Sequence, residues 1–294
     1  MSIFKGLSAF PITPCDASGQ LLEGELEDLL QPFNSADVQS VGLLGSTGTY
    51  AYLSRETRRA AVACARKAVQ KPLIVGVGAI RTDDAISLAK DAAKEGADGL
   101  LLAPVSYTPL LEDEVFAHFE AVSNATNLPL VIYNNPGTTH FTFSSDLLLR
   151  LAGLHNVKAV KMPLPADIND VAKLRAALPA EFVLGYSGDW GCPDCLLAGG
   201  EAWFSVIGGY LPNETAALAR AAMNSDRDKV AQIDAQFKPL WDLFQAWGSL
   251  RVIYAAAQIE QDSKAILPRP LLPLANTLHP QIRTALDMAR SIVN

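Results

Sequence analysis

Eight short apolar runs, each followed by a stretch of helical periodicity, constrain this chain more tightly than any other feature of its sequence. They extend from Leu7 to Ile12, Val41 to Leu44, Leu73 to Val77, Gly99 to Leu102, Leu130 to Tyr133, Val157 to Lys161, Phe182 to Tyr186 and Trp203 to Ile207. Near-continuous apolar runs of this length predict parallel strands covered on both faces, and the segments between them carry the 3.6-residue period of helices. Between Ser54 and Val69, for example, Ala61, Ala65 and Ala68 share a stripe with Val62 and Val69. Thr82-Asp83-Asp84 and Ser144-Ser145-Asp146 offer side-chain oxygens as helix N-caps. Eight strand-helix units are the number that closes a (β/α)8 TIM barrel, which is the expected fold. An open doubly wound sheet is the alternative. Its dinucleotide fingerprint is missing, because Gly76-Val77-Gly78-Ala79-Ile80-Arg81 lacks the third glycine.

A length of 294 residues suits one large barrel or two smaller domains. Beyond the eighth run, the chain reads as helices interrupted by Ile266-Leu267-Pro268-Arg269-Pro270, too few strands for a second sheet. Residues 1–211 are therefore expected to form the barrel and residues 212–294 a C-terminal helical extension packed on it.

The charge balance excludes some partners. Lys+Arg 24 against Asp+Glu 31 gives a net charge of −7, with no basic stripe interleaved with aromatics, so nucleic acid is not an expected partner. No apolar run reaches membrane-spanning length, and Met1-Ser2-Ile3-Phe4-Lys5-Gly6 has none of the pattern of a leader. A cytoplasmic protein without membrane contact is expected. Cys192 and Cys195 form a C-x-x-C, but no second pair and no nearby histidine complete a zinc set. Two small residues on a short helix are the expected reading, with no metal.

In such barrels chemistry collects just past the C-terminal ends of the strands. Those ends run into Gly45-Ser46-Thr47-Gly48-Thr49, Ala103-Pro104-Val105-Ser106-Tyr107, Tyr133-Asn134-Asn135-Pro136-Gly137, Lys161 and Tyr186-Ser187-Gly188-Asp189. A lysine closing an apolar strand is costly to keep charged, so burial favours the neutral amine that attacks a carbonyl. A lysine reaching water along its stem is the other reading. The glycine-rich stretches read equally as tight turns.

Together these pieces resemble the dihydrodipicolinate synthase and N-acetylneuraminate lyase family of pyruvate-dependent class I aldolases, over nearly the whole chain. The family's glycine loop appears as Gly45-Ser46-Thr47-Gly48-Thr49, its Tyr-Asn-x-Pro as Tyr133-Asn134-Asn135-Pro136, and its strand-six lysine as Lys161. Tyr107 followed by His118-Phe119 matches a further family pattern. The resemblance implies that Lys161 forms an imine with pyruvate or another 2-keto acid and that Tyr133 is the general acid and base. It implies a proton relay through Ser46 and Tyr107, the latter supplied by a neighbouring subunit, so the active unit is a dimer or tetramer. Thr47 and Gly48, with Ser46, would hold the keto-acid carboxylate through hydroxyls and turn amides. Phe204 aligns with the position whose backbone contacts pyruvate. No metal or organic cofactor is implied; the partners are a small 2-keto acid and an aldehyde.

The chain departs from that pattern at three places. Thr138 stands where dihydrodipicolinate synthases carry an arginine that clamps the second substrate's carboxylate. Thr49 and Met162 replace acidic residues, whereas Ser187 and Asp189 fall where sialate lyases contact sugar hydroxyls. The expected activity is thus a Schiff-base lyase of aldolase type that is not a true dihydrodipicolinate synthase, with a polyhydroxylated 2-keto acid as substrate class. Two alternatives are a 2-keto-3-deoxy sugar-acid dehydratase using the same imine and a non-catalytic barrel that binds small acids.

Overall fold

Each of the eight apolar runs becomes a strand: β1 (Gly6–Ala9), β2 (Ser40–Leu43), β3 (Leu73–Gly76), β4 (Gly99–Leu102), β5 (Leu130–Tyr133), β6 (Val157–Met162), β7 (Val183–Tyr186) and β8 (Ala202–Ser205). In the computed structural model, which describes residues 2–292, all pair in parallel and in chain order. Pairing of β8 with β1 closes the barrel. Met1, Val293 and Asn294, at the outer ends of the two expected units, lie outside the described residues.

Strand residues alternate between two apolar populations, as the pleat requires. Ile74, Leu101, Val131, Ala159, Val183, Ala202 and Phe204 fill the barrel interior, whereas Leu130, Ile132, Val160 and Leu184 face the helical layer. That layer consists of α1 (Glu23–Leu30), α2 (Arg55–Ala68), α3 (Thr82–Lys94), α4 (Glu112–Ser123), α5 (Pro136–Thr139), α6 (Ser145–Ala152), α7 (Asn169–Ala177), α8 (Cys192–Leu197) and α9 (Pro212–Met223). Ser54 and Ser144 cap α2 and α6 through their side chains, Ser54 accepting from the Thr57 amide and Ser144 from the Leu147 amide. Thr82 does not act as expected. It is the first residue of α3 rather than its cap, and its hydroxyl bonds His118 Nδ1 on α4 at 2.9 Å.

The helices α10 (Arg227–Trp247), α11 (Ser249–Gln261) and α12 (His279–Arg290) follow. Arg290 on α12 holds Glu260 on α11 in a two-pronged ion pair, both contacts 2.6 Å, and Tyr210 donates to the same carboxylate at 2.7 Å. The extension meets the barrel above β1, where Ile266 N donates to Cys15 O at 2.9 Å. The helix Pro212–Met223 belongs with the barrel's outer layer: it lies against β1 and α8, and without it the β8–β1 seam would face water.

Candidate active site

Lys161 and Tyr133 are register partners on β6 and β5, so the pleat aims both side chains inward at the C-terminal end of the barrel. Lys161 is only 5% exposed, which excludes the reading in which its stem carries the amine out to water. Its Nζ stands 4.2 Å from the ring centroid of Tyr133, 4.7 Å from that of Phe10 and 5.9 Å from that of Phe204. The lysines that form ion pairs among the described residues are Lys5, Lys173, Lys238 and Lys264, so Lys161 meets aromatic faces where they meet carboxylates.

Two missing side chains make room for those rings. A Cβ on Gly42 of β2 would fall 2.1 Å from Phe10 Cζ, and one on Gly185 of β7 would fall 2.4 Å from Phe204 Cε2. The aromatic floor of the site therefore occupies space that glycine leaves on other strands. The sequence reading missed Phe10 altogether, because these contacts join residues far apart in the chain.

The loop after β2 arches over this floor. Leu44 adopts a left-handed conformation, φ 57°, which a branched side chain rarely takes and which costs about 1–2 kcal/mol. Gly76 accommodates it, since a Cβ there would lie 1.9 Å from Leu44 O. Arg58 on α2 stiffens the same region by donating to Gly76 O at 2.9 Å and to Gly78 O at 3.1 Å. The loop thereby brings Ser46 Oγ to 3.1 Å from Tyr133 Oη, and Thr47 is buried beside it. Asn135, also unforeseen from sequence, donates from Nδ2 to the same phenol oxygen at 2.9 Å.

The remaining expected site residues fall into two groups. Phe204 belongs to the floor, and Gly48 packs against Thr13 and Leu44 with no room for a side chain. Ser187 is half-buried after β7 and donates to Met162 O at 3.3 Å. Thr138 lies exposed on α5 with its hydroxyl donating to Asn135 O at 3.3 Å. Tyr107 is 95% exposed and stands apart from the Ser46–Tyr133 pair.

Asp189 departs from expectation. Its carboxylate is turned into the protein, accepting from Trp203 Nε1 at 2.9 Å and from the amides of Val206 and Ile207 at 3.3 and 2.8 Å. Burial pushes its carboxyl above the ordinary range, against the pull of these hydrogen bonds. It pins the end of β8 rather than offering an acceptor to sugar hydroxyls, and this corrects the role read from sequence. Cys192 and Cys195 lie on the short helix α8 as expected, buried and unpaired, with burial raising both thiols. Among the described residues no cluster of metal-ligating side chains occurs, and no helix is long and apolar enough to cross a membrane.

Comparison with known proteins agrees with this architecture. The Dihydrodipicolinate synthetase family matches residues 3–289. The 4-hydroxy-tetrahydrodipicolinate synthase of Pseudomonas putida is 29% identical over 288 residues, covering 96% of this chain and 97% of that protein. A crystal structure of dihydrodipicolinate synthase from Agrobacterium tumefaciens superposes with a TM-score of 0.95 at 51% identity, over 98% of each chain. A dihydrodipicolinate synthase from Acinetobacter baumannii, complexed with pyruvate, superposes with a TM-score of 0.90 at 26% identity, over 98% of this chain and 99% of that one. The chain therefore belongs to the dihydrodipicolinate synthetase family, whose members are lyases of aldolase type.

Proposed function

We propose that this protein cleaves or forms a carbon-carbon bond next to a 2-keto acid, pyruvate in the simplest case, through an imine on Lys161. The observation that carries the reading is the amine held among three aromatic rings, 4.2 Å from the ring of a tyrosine whose hydroxyl is engaged by Ser46 and Asn135. A neutral amine there attacks the keto carbon. Tyr133 gives its proton to the departing hydroxyl of the carbinolamine, which leaves as water, and a phenolate and an iminium remain. The phenolate then takes a proton from C3; the C–H electron pair becomes the C2–C3 double bond, and the C=N pair returns to nitrogen. The resulting enamine attacks an aldehyde, and the reverse sequence cleaves the adduct.

Thr47 and the turn amides of residues 46–48 are suited to the substrate carboxylate, while the Ser46 hydroxyl stays with Tyr133. Among the described residues none of those three amides has a backbone acceptor. Tyr107 completes the relay from a second copy of the chain, which its 95% exposure permits. The active unit is then a dimer or a larger assembly.

The acceptor is not the charged aldehyde of a true dihydrodipicolinate synthase. Thr138 offers no cation, and its hydroxyl is engaged with Asn135 O. A polyhydroxylated acceptor loses the support of Asp189, whose oxygens face Trp203 and the β8 loop. Borohydride reduction in the presence of pyruvate, followed by mass mapping, should leave an adduct on Lys161; an unmodified Lys161 would refute the imine. Turnover of aspartate semialdehyde at a rate matching other aldehydes would refute the substrate assignment. Product analysis separates pyruvate plus aldehyde from the dehydrated keto acid of a dehydratase.

A further inference from the structure

The side chain of Asn135 does not do what its position asks. It precedes α5, where an asparagine ordinarily folds back to accept from the first amides of the helix, yet it makes no capping bond. Its backbone carbonyl is held instead, by the amides of Thr138 and Thr139 at 3.0 Å each and by their hydroxyls at 3.3 and 3.0 Å. This clamp fixes the residue while the side-chain amide reaches Tyr133 Oη at 2.9 Å. Local rules broken without local gain mark functional positions.

We propose that Asn135 is a positioning residue for proton transfer at Tyr133, its amide stabilising the phenolate that exists between release of water and removal of the C3 proton. The inference rests on the imine reading above and gives the Asn135 contact named there a role in proton transfer. An amide nitrogen donates and never accepts, so one lone pair of Oη is occupied in both protonation states. While Tyr133 is a phenol it carries the proton that the carbinolamine takes, and either hydroxyl can donate across the 3.1 Å to Ser46 Oγ. Once that proton has left with water, the Ser46 hydroxyl turns to donate, and two donors meet the anion. Hydrogen bonds to a charged oxygen are roughly twice as strong as neutral ones, so the pair anchors the anion and fixes where it accepts the proton.

Pyruvate itself is the probe, and the aldehyde need not be known. In deuterated water, reversible enamine formation replaces the methyl protons of pyruvate by deuterium, which proton NMR follows, while borohydride trapping counts the imine independently. Asn135→Asp keeps the shape and replaces the donor by an acceptor; Asn135→Ala removes both. The adduct on Lys161 should persist in each variant within about twofold, whereas exchange per adduct falls by about tenfold or more, furthest in Asn135→Asp. Wild-type exchange per adduct in either folded variant would overturn the role. Adduct and exchange falling in proportion would also overturn it, assigning Asn135 to assembly of the imine site. A wild-type chain that forms no adduct refutes the imine reading itself, a result distinct from both.

Discussion

Tyr133 Oη and Lys161 Nζ hang from paired residues on adjacent strands, with the amine 4.2 Å from the centroid of the phenol ring. The shared ladder of the barrel wall fixes the placement of their Cα atoms and sends both side chains to the same end of the barrel. Tyr133→Phe keeps the ring and removes only the hydroxyl. The imine with pyruvate should still accumulate on prolonged incubation, while methyl proton exchange falls by about 10²- to 10⁴-fold. Exchange at the wild-type rate would show that another group moves the proton.

The floor of the site makes a second prediction. Gly42→Ala would set a methyl 2.1 Å from Phe10 Cζ, and Gly185→Ala one 2.4 Å from Phe204 Cε2. Each should destabilise the fold by about 1–3 kcal/mol through overpacking and reduce adduct formation by displacing a ring toward Lys161. Combining Gly42→Ala with Phe10→Leu should recover part of the stability lost, measured by denaturant unfolding. Single variants as stable as the parent and fully competent in trapping would show that the floor yields freely.

Asp189 tests a structural assignment. Asp189→Ala strands the Trp203 indole N–H and the Val206 and Ile207 amides, each costing about 1–3 kcal/mol when left buried and unpaired. A loss of at least about 3 kcal/mol in unfolding free energy is expected. A variant as stable as the parent would return Asp189 to the list of substrate contacts.

These residues also show what a sequence discloses. Strand-helix alternation is local, and it made the barrel legible down to β4 and β5, whose boundaries match the apolar runs. Lys161 and Tyr133 were legible as strand ends aimed into one pocket, but it was the resemblance to a family, carried by the ordered motifs around them, that singled out their roles. Asp189 was misread because its place after β7 is local, whereas its direction is set by donors on β8. Thr82 failed as a cap for a similar reason, since a histidine on the next helix claims its hydroxyl. Phe10 was invisible because the space it fills belongs to a glycine on another strand.

His118 gives a pH prediction. Burial holds its imidazole below the ordinary value, so the unfolded chain binds a proton more readily than the folded one. Its contribution to stability is complete above about pH 6.5, the unfolded value, and is lost as pH falls toward the lower folded value. His118→Gln should flatten the dependence of unfolding free energy on pH in that window. An unchanged slope would place the proton uptake elsewhere.

The ring-lined recess around Lys161 has a stereochemical consequence. Three rings, those of Phe10, Tyr133 and Phe204, have their centroids within 4.2 to 5.9 Å of Nζ, so an acceptor comes to an enamine built there from the open end of the barrel. The attacking carbon of a pyruvate enamine is a methylene and gains no handedness, so the configuration of the product is decided at the aldehyde carbon, by the side chains at the open end that present one of its two faces.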